Sequence, residues 1–171
     1  MSRTAEAPIA IPDVIARFLE DRSTVGVAST RDRDLRPRIH YLSGWSVAEG
    51  GRELLCLVGR GFTDGLAETL RESPLLAVTI EHIGPHETYQ FKGVVVGSRG
   101  AEPADREVWE RIRRRFSEAV RRVDPHLGLE DPQLRDYIPP PETALRLSLR
   151  EIFLQTPGPG AGRRLVPPEA M

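Results

Sequence analysis

The chain has 171 residues, the size of one folded domain and too small for a multidomain machine. Its 24 basic and 25 acidic side chains leave a formal charge of -1, so no global field draws it to a nucleic-acid backbone or an anionic membrane. Hydrophobic residues at 39% and charged residues at 29% exclude a disordered chain, and the one cysteine, Cys56, excludes a disulfide framework or a cysteine-rich metal centre and suits a reducing cytoplasm.

Met1 to Pro12 holds no apolar run of signal-peptide length. No stretch reaches the roughly 18 to 20 apolar residues that span a bilayer. The expectation is a soluble cytoplasmic protein, a single domain over 1–171 with residues 1–11 as an N-terminal arm. Asp13 to Glu20 places Val14, Ile15, Phe18 and Leu19 at helical spacing behind Pro12, predicting a short amphipathic helix. Thr24 to Ser29 is small and β-branched, and the polar run Thr30 to Arg36 turns the chain into a second extended segment, Arg38 to Val47. Glu49-Gly50-Gly51 closes a hairpin whose return strand, Glu53 to Val58, is apolar enough to be buried on both faces. Gly59 to Phe62 leads into a helix capped by Thr63 or Asp64 and ending near Ser73-Pro74, with Leu66, Ala67 and Leu70 inward. Leu75 to Ile80 is a fourth strand, His82 to His86 a Gly-Pro turn, and Thr88 to Val96 a fifth strand that Gly93 bends or bulges.

In Ala104 to Val123, Val108, Ile112, Phe116, Ala119, Val120 and Val123 recur with helical period, predicting a long surface helix. Asp124 to Pro141 contains five prolines and reads as an irregular connection with one helical turn near Gln133 to Asp136. Thr143 to Leu154 alternates Leu145, Leu147 and Leu149 with Arg146, Ser148 and Arg150, a half-buried sixth strand that closes the sheet. From Gln155 onward proline and glycine forbid a helix or a central strand, leaving 157–171 as a tail. Six strands, hairpin-length early connections and three helices predict an antiparallel barrel over a doubly wound sheet.

Three groups of residues carry chemistry. Arg60 and Thr63, in a glycine-bearing loop that opens a helix, offer donors suited to a phosphate. Thr88, Gln90 and Lys92 lie on one face of the fifth strand with Tyr89 and Phe91 on the other, a row of hydroxyl, amide and ammonium that suits the edge of a heteroaromatic ligand. Lys92 is the only lysine among 24 basic residues. Arg38 and His40 form a second row on the second strand and suit an anionic cofactor. The pair His82 and His86 lacks a third ligand, so no metal is expected. Cys56 sits among leucines as inert packing, and no Gly-x-Ser-x-Gly elbow is present. The arginines of the long helix point in several directions without interleaved aromatics, so no nucleic-acid partner is expected.

The order of elements, together with Leu70-Arg-Glu-Ser-Pro74, the strand Thr88-Tyr-Gln-Phe-Lys-Gly93, the long helix and the closing Gln155-Thr-Pro-Gly-Pro-Gly-Ala-Gly162, resembles the FMN-binding split barrels related to pyridoxamine 5'-phosphate oxidase, in an uncharacterised branch. The likeness runs from about Pro12 to Gly162. It implies a mainly β, six-stranded antiparallel split barrel with flanking helices that forms a homodimer, with flavin at the subunit seam, and hence a flavoprotein oxidoreductase of unassigned substrate and catalytic residues. By position, Arg38 and Arg60 would serve the phosphate of this small planar anionic cofactor, and Thr88 with Gln90 or Lys92 its ring; the reading of the residues adds His40 and Thr63 to the cofactor-binding set. Where typical members carry a Ser-Arg-Lys run, this chain has Asp64-Gly65-Leu66. That departure motivates the alternative, a non-catalytic dimeric module that binds haem or another planar cofactor; the sequence leaves open FMN or a deazaflavin as the flavin.

Overall fold

The computed structural model describes residues 8–48, 50–60, 65–123, 133 and 136–166, with the side chain of Asp21 excepted. The helix α1 (Asp13–Asp21) precedes the strands β1 (Thr24–Arg31), β2 (Pro37–Val47) and β3 (Glu53–Gly59). A short helix α2 (Ala67–Glu72) leads to β4 (Leu75–His82) and β5 (Thr88–Gly100). The long helix α3 (Pro103–Val123), β6 (Pro141–Leu154) and a short β7 (Arg164–Val166) complete the order. Every strand pairing is antiparallel, in the order β3-β2-β1-β4-β5-β6-β7, and β3 also pairs with β6. That last pairing closes six strands into a barrel.

The elements form for the reasons their patterns imply. Ala28, Val78, Phe91, Leu147 and Ile152 are completely buried inside the barrel, and β3 contributes Leu54, Cys56, Leu57 and Val58, buried on both faces. α1 seats Ile15, Phe18 and Leu19 in the core; Phe18 meets Tyr89 edge to face at 4.8 Å, and the Trp45 indole N–H donates to the Leu19 carbonyl at 3.3 Å. α3 lays Ile112, Phe116 and Ala119 on the barrel. Its start is fixed by Asp105, three residues beyond Glu102, whose carboxylate accepts the Glu102 backbone N–H at 2.8 Å and two bonds from Arg99.

Several expectations need correction. The tail contains β7, an edge strand on β6, so the sheet has seven strands and its sixth is not its last. Two paired positions, Ile152 with Val166 and Phe153 with Arg164, suffice there because the end of a proline- and glycine-rich segment can join an edge though not a centre. Val14 and Val123 are 61% and 66% exposed: Val14 lies on the solvent side of α1, and Val123 ends α3 beyond the barrel. The N-terminal arm is anchored at its end, where Ile9 and Ile11 donate backbone hydrogen bonds to Leu149 and Gly51. β5 continues past Val96 to Gly100 because β6 is long enough to pair with it there. The bulge beside Gly93 has its extra residue on β6, at Arg150, between the pairs Lys92 with Glu151 and Gly93 with Leu149. Gly93 is required opposite it: a Cβ there would fall 2.1 Å from the Ser148 carbonyl oxygen.

Candidate functional site

β2 outruns β3. The β2–β3 ladder stops at Leu42 with Val58, so among the described residues positions 37–41 pair only with β1 and present a free edge. Against that edge lies a hollow of about 220 Å³ walled by His40 and Tyr41, by Gly59 and Arg60, and by Asp136 and Pro139 of the connection before β6. Gly59 permits the closeness, since a Cβ there would stand 2.8 Å from both Pro139 and the Pro140 carbonyl. Arg60, almost fully exposed, reaches Glu142 at 3.6 Å. Arg38, paired with Thr30 on the same side of β2 as His40, stretches along Gly65 at the approach to α2; its Nε lies 3.6 Å from where a Gly65 Cβ would stand. Arg38, His40 and Arg60 thus gather at one end of the barrel. Thr63 lies outside the described residues, as does Asp64.

The second group is on the barrel's outer wall. Cross-strand pairing sets two rows: Tyr41, Val27, Thr79, Gln90 and Phe153, and beside it Ile39, Ser29, Ala77, Lys92 and Glu151. Directly opposed residues share a face, so Gln90 and Lys92 look out with Ile39, Tyr41 and Leu75, which are 65%, 48% and 50% exposed. Gln90 Nε2 donates to Thr79 Oγ1 at 3.1 Å, which fixes the amide with its oxygen free to accept. Lys92 Nζ sits 4.2 Å from the centroid of the Phe153 ring, a cation–π contact that orients the ammonium without neutralising it. Thr88 is buried; its hydroxyl donates to the His86 carbonyl at 2.8 Å and its N–H to Thr156 Oγ1 at 2.9 Å, so it holds the tail loop on the strand. Beneath, the Tyr89 phenol is pushed up to about 12, chiefly by burial and then by its hydrogen bond to Glu87.

Within one chain the two groups do not meet. Three strand spacings of about 4.8 Å separate β2 from β5, and Arg38 and His40 project to the other side of the sheet from Gln90 and Lys92. What joins them is the open face itself, with the cationic hollow at one border and the amide and ammonium toward the other. Sequence reasoning missed Asp136, Pro139, Thr79 and Phe153. Only pairing register or a long connection brings these near the candidates, and Phe153 is indistinguishable from its apolar neighbours Ile152 and Leu154.

The remaining candidates are placed as follows. His86 Nδ1 meets Glu81 Oε1 at 2.5 Å on the surface, and among the described residues no group of three or more metal-binding side chains occurs. Cys56 is completely buried, and burial pushes its thiol up to about 12. None of the described helices is long and apolar enough to cross a membrane.

No protein-family model matches the chain, and no curated protein matches it. Solved structures do. An F420 reductase aligns over 83% of this chain and 98% of its own with a TM-score of 0.51 at 12% identity. HupZ of Group A Streptococcus aligns over 89% and 99% with a TM-score of 0.51 at 12% identity. A candidate pyridoxamine 5'-phosphate oxidase of Lactobacillus delbrueckii aligns over 84% and 93% with a TM-score of 0.50 at 10% identity. At such identities the likeness concerns the backbone, and it agrees with the closed barrel: the chain has the split-barrel fold of the pyridoxamine 5'-phosphate oxidase-like proteins.

Proposed function

We propose that the protein is a homodimeric flavin-binding split barrel acting as an oxidoreductase. The observation that carries this reading is the open face on which Gln90 and Lys92 stand pre-oriented beside exposed Ile39, Tyr41 and Leu75, with Arg38, His40 and Arg60 at its border. Exposed aliphatic and aromatic side chains on a sheet face favour cover by a second copy. Dimerisation would bring the cationic end of one protomer toward the Gln90–Lys92 row of the other, which the separation within one chain otherwise forbids.

The donor set fits a flavin nucleotide. Two guanidinium groups and an imidazole suit a phosphate, and an amide with a free acceptor beside an ammonium suits the mixed donor and acceptor edge of a flavin ring. When bound, the flavin supplies the hydride or electron chemistry. The chain's own residues bind, orient the ring and place positive charge at its edge, where negative charge develops on reduction. The structural likeness to an F420 reductase keeps a deazaflavin beside FMN as the nucleotide.

The test is an absorption spectrum after incubation with FMN and, separately, with F420, alongside sedimentation to read the mass. Saturable uptake of one flavin by a dimer supports the reading. A colourless protein that takes up neither refutes it, and a Soret shift on haem titration that disappears in His40→Ala would replace flavin with haem.

A further inference from the structure

A second hollow, of about 320 Å³, shares no lining residue with the first. It opens between the end of α1, the second half of β2 and the middle of α3. Its floor is apolar: Leu19, Trp45 and Ile112 are 5%, 2% and 7% exposed, and half-buried Val47 extends it. Its rim carries Arg111 and Arg115, one helical turn apart on α3. Like charges at that spacing disfavour a helix, so each needs a reason.

Arg115 has one. Its guanidinium donates to the Glu20 carbonyl in the last turn of α1, a turn with no basic residue of its own, and so supplies the positive charge that a helix C-terminus favours. Arg111 has none: it makes no hydrogen bond or ion pair with any described residue. Ser46 also lines the hollow, and its side chain makes no hydrogen bond with any described residue. Glu20 also lines the hollow, and its carboxylate makes no ion pair with either arginine. Two guanidinium groups and one carboxylate leave a net single positive charge, which suits an anion, and the apolar floor favours one that carries an apolar body over inorganic phosphate.

We propose that this hollow is a second binding site, for a small carboxylate with a flat apolar body: the carboxylate on Arg111 with Arg115 alongside, the body on the apolar floor. Its volume is at the lower end for ligand pockets, room for a single ring with a short side chain. The site is separate from the flavin reading and stands whether or not that reading holds.

The test is calorimetric titration of the full chain with phenylacetate, with uncharged phenylacetamide and with inorganic phosphate. Phenylacetate binds saturably at one per chain; Arg111→Ala weakens it about tenfold, as loss of a charge-assisted pair does, and Arg111→Glu abolishes it. Phenylacetamide and phosphate bind more weakly than phenylacetate. Of the two indole N–H resonances, that of Trp45 moves and that of Trp109 stays. Because Arg111 is exposed, its substitution leaves the core intact, which a melting curve checks. No saturable phenylacetate binding, undiminished binding to Arg111→Glu, or binding of phosphate at least as tight as that of phenylacetate overturns the assignment.

Discussion

Replacing Gly93 by alanine tests whether the β5–β6 bulge is a fixed part of the barrel. The added methyl would stand 2.1 Å from the Ser148 carbonyl oxygen and 2.9 Å from its carbonyl carbon, more than an ångström inside van der Waals contact with the oxygen. No flexible side chain can yield there, because Ser148 belongs to a strand paired on both sides, with Glu53 of β3 and Val94 of β5. Overpacking a rigid core costs about 1–3 kcal/mol, and the loss of two ladder hydrogen bonds adds about 1 kcal/mol each, for a total of roughly 3–5 kcal/mol. At about 2–4 °C per kcal/mol for a chain of this length, the melting temperature falls by roughly 6–20 °C. Gly100→Ala, the same chemical change on the same strand with nothing within 4 Å of the new atom, is the matched control and stays within about 0.5 kcal/mol of the parent. Paired thermal and urea melts followed by circular dichroism give the comparison. A Gly93→Ala protein as stable as Gly100→Ala would show that the bulge moves freely and would refute the reasoning.

Three further outcomes follow from the same contacts. Arg99, by its hydrogen bonds, holds the Asp105 carboxyl below its ordinary value of 3.8 against the opposing effect of burial; a depressed folded pKa stabilises above the unfolded value and is lost as pH falls below it. Asp105→Asn therefore costs about 1–3 kcal/mol at pH 7, and urea melts at pH 7 and pH 3 show its gap to the parent narrowing in acid. Cys56, buried and with its thiol pushed up to about 12, stays unlabelled by a thiol-specific disulfide reagent at pH 8 until denaturant opens the barrel; rapid labelling of the native protein would contradict its burial. Lys92→Met keeps apolar contact with Phe153 while removing the charge, so FMN uptake weakens about tenfold with the melting temperature unchanged, as a flavin titration beside a melt would reveal.

The arrangement of elements was legible in the sequence because periodicity records burial. Leu145, Leu147 and Leu149 alternate with polar residues in β6, and all three leucines are buried; Ile112, Phe116 and Ala119 recur at helical spacing in α3 and face the core. Val14 and Val123 fit the same patterns yet lie exposed, because a pattern gives a helix its stripe but not the extent of the surface that will meet it. The β7 pairing was hidden for a related reason: three residues are too few to show a period, and only the waiting edge of β6 makes them a strand.

The candidate residues divide along the same line. Local order alone determined that Thr88, Gln90 and Lys92 alternate with Tyr89 and Phe91, because successive strand residues point to opposite faces. Tertiary structure decided what each does with its side chain: Thr88 turned to the backbone beneath the tail loop, Gln90 fixed by Thr79, and Lys92 laid over Phe153. It also decided that Arg38, His40 and Arg60 converge while standing across the sheet from that row, since convergence depends on where β3 stops pairing with β2 and how closely Pro139 approaches Gly59. A sequence carries each residue's preference for a period, a turn or a buried place; register and closure, set by contacts between distant segments, determine which of those residues become neighbours.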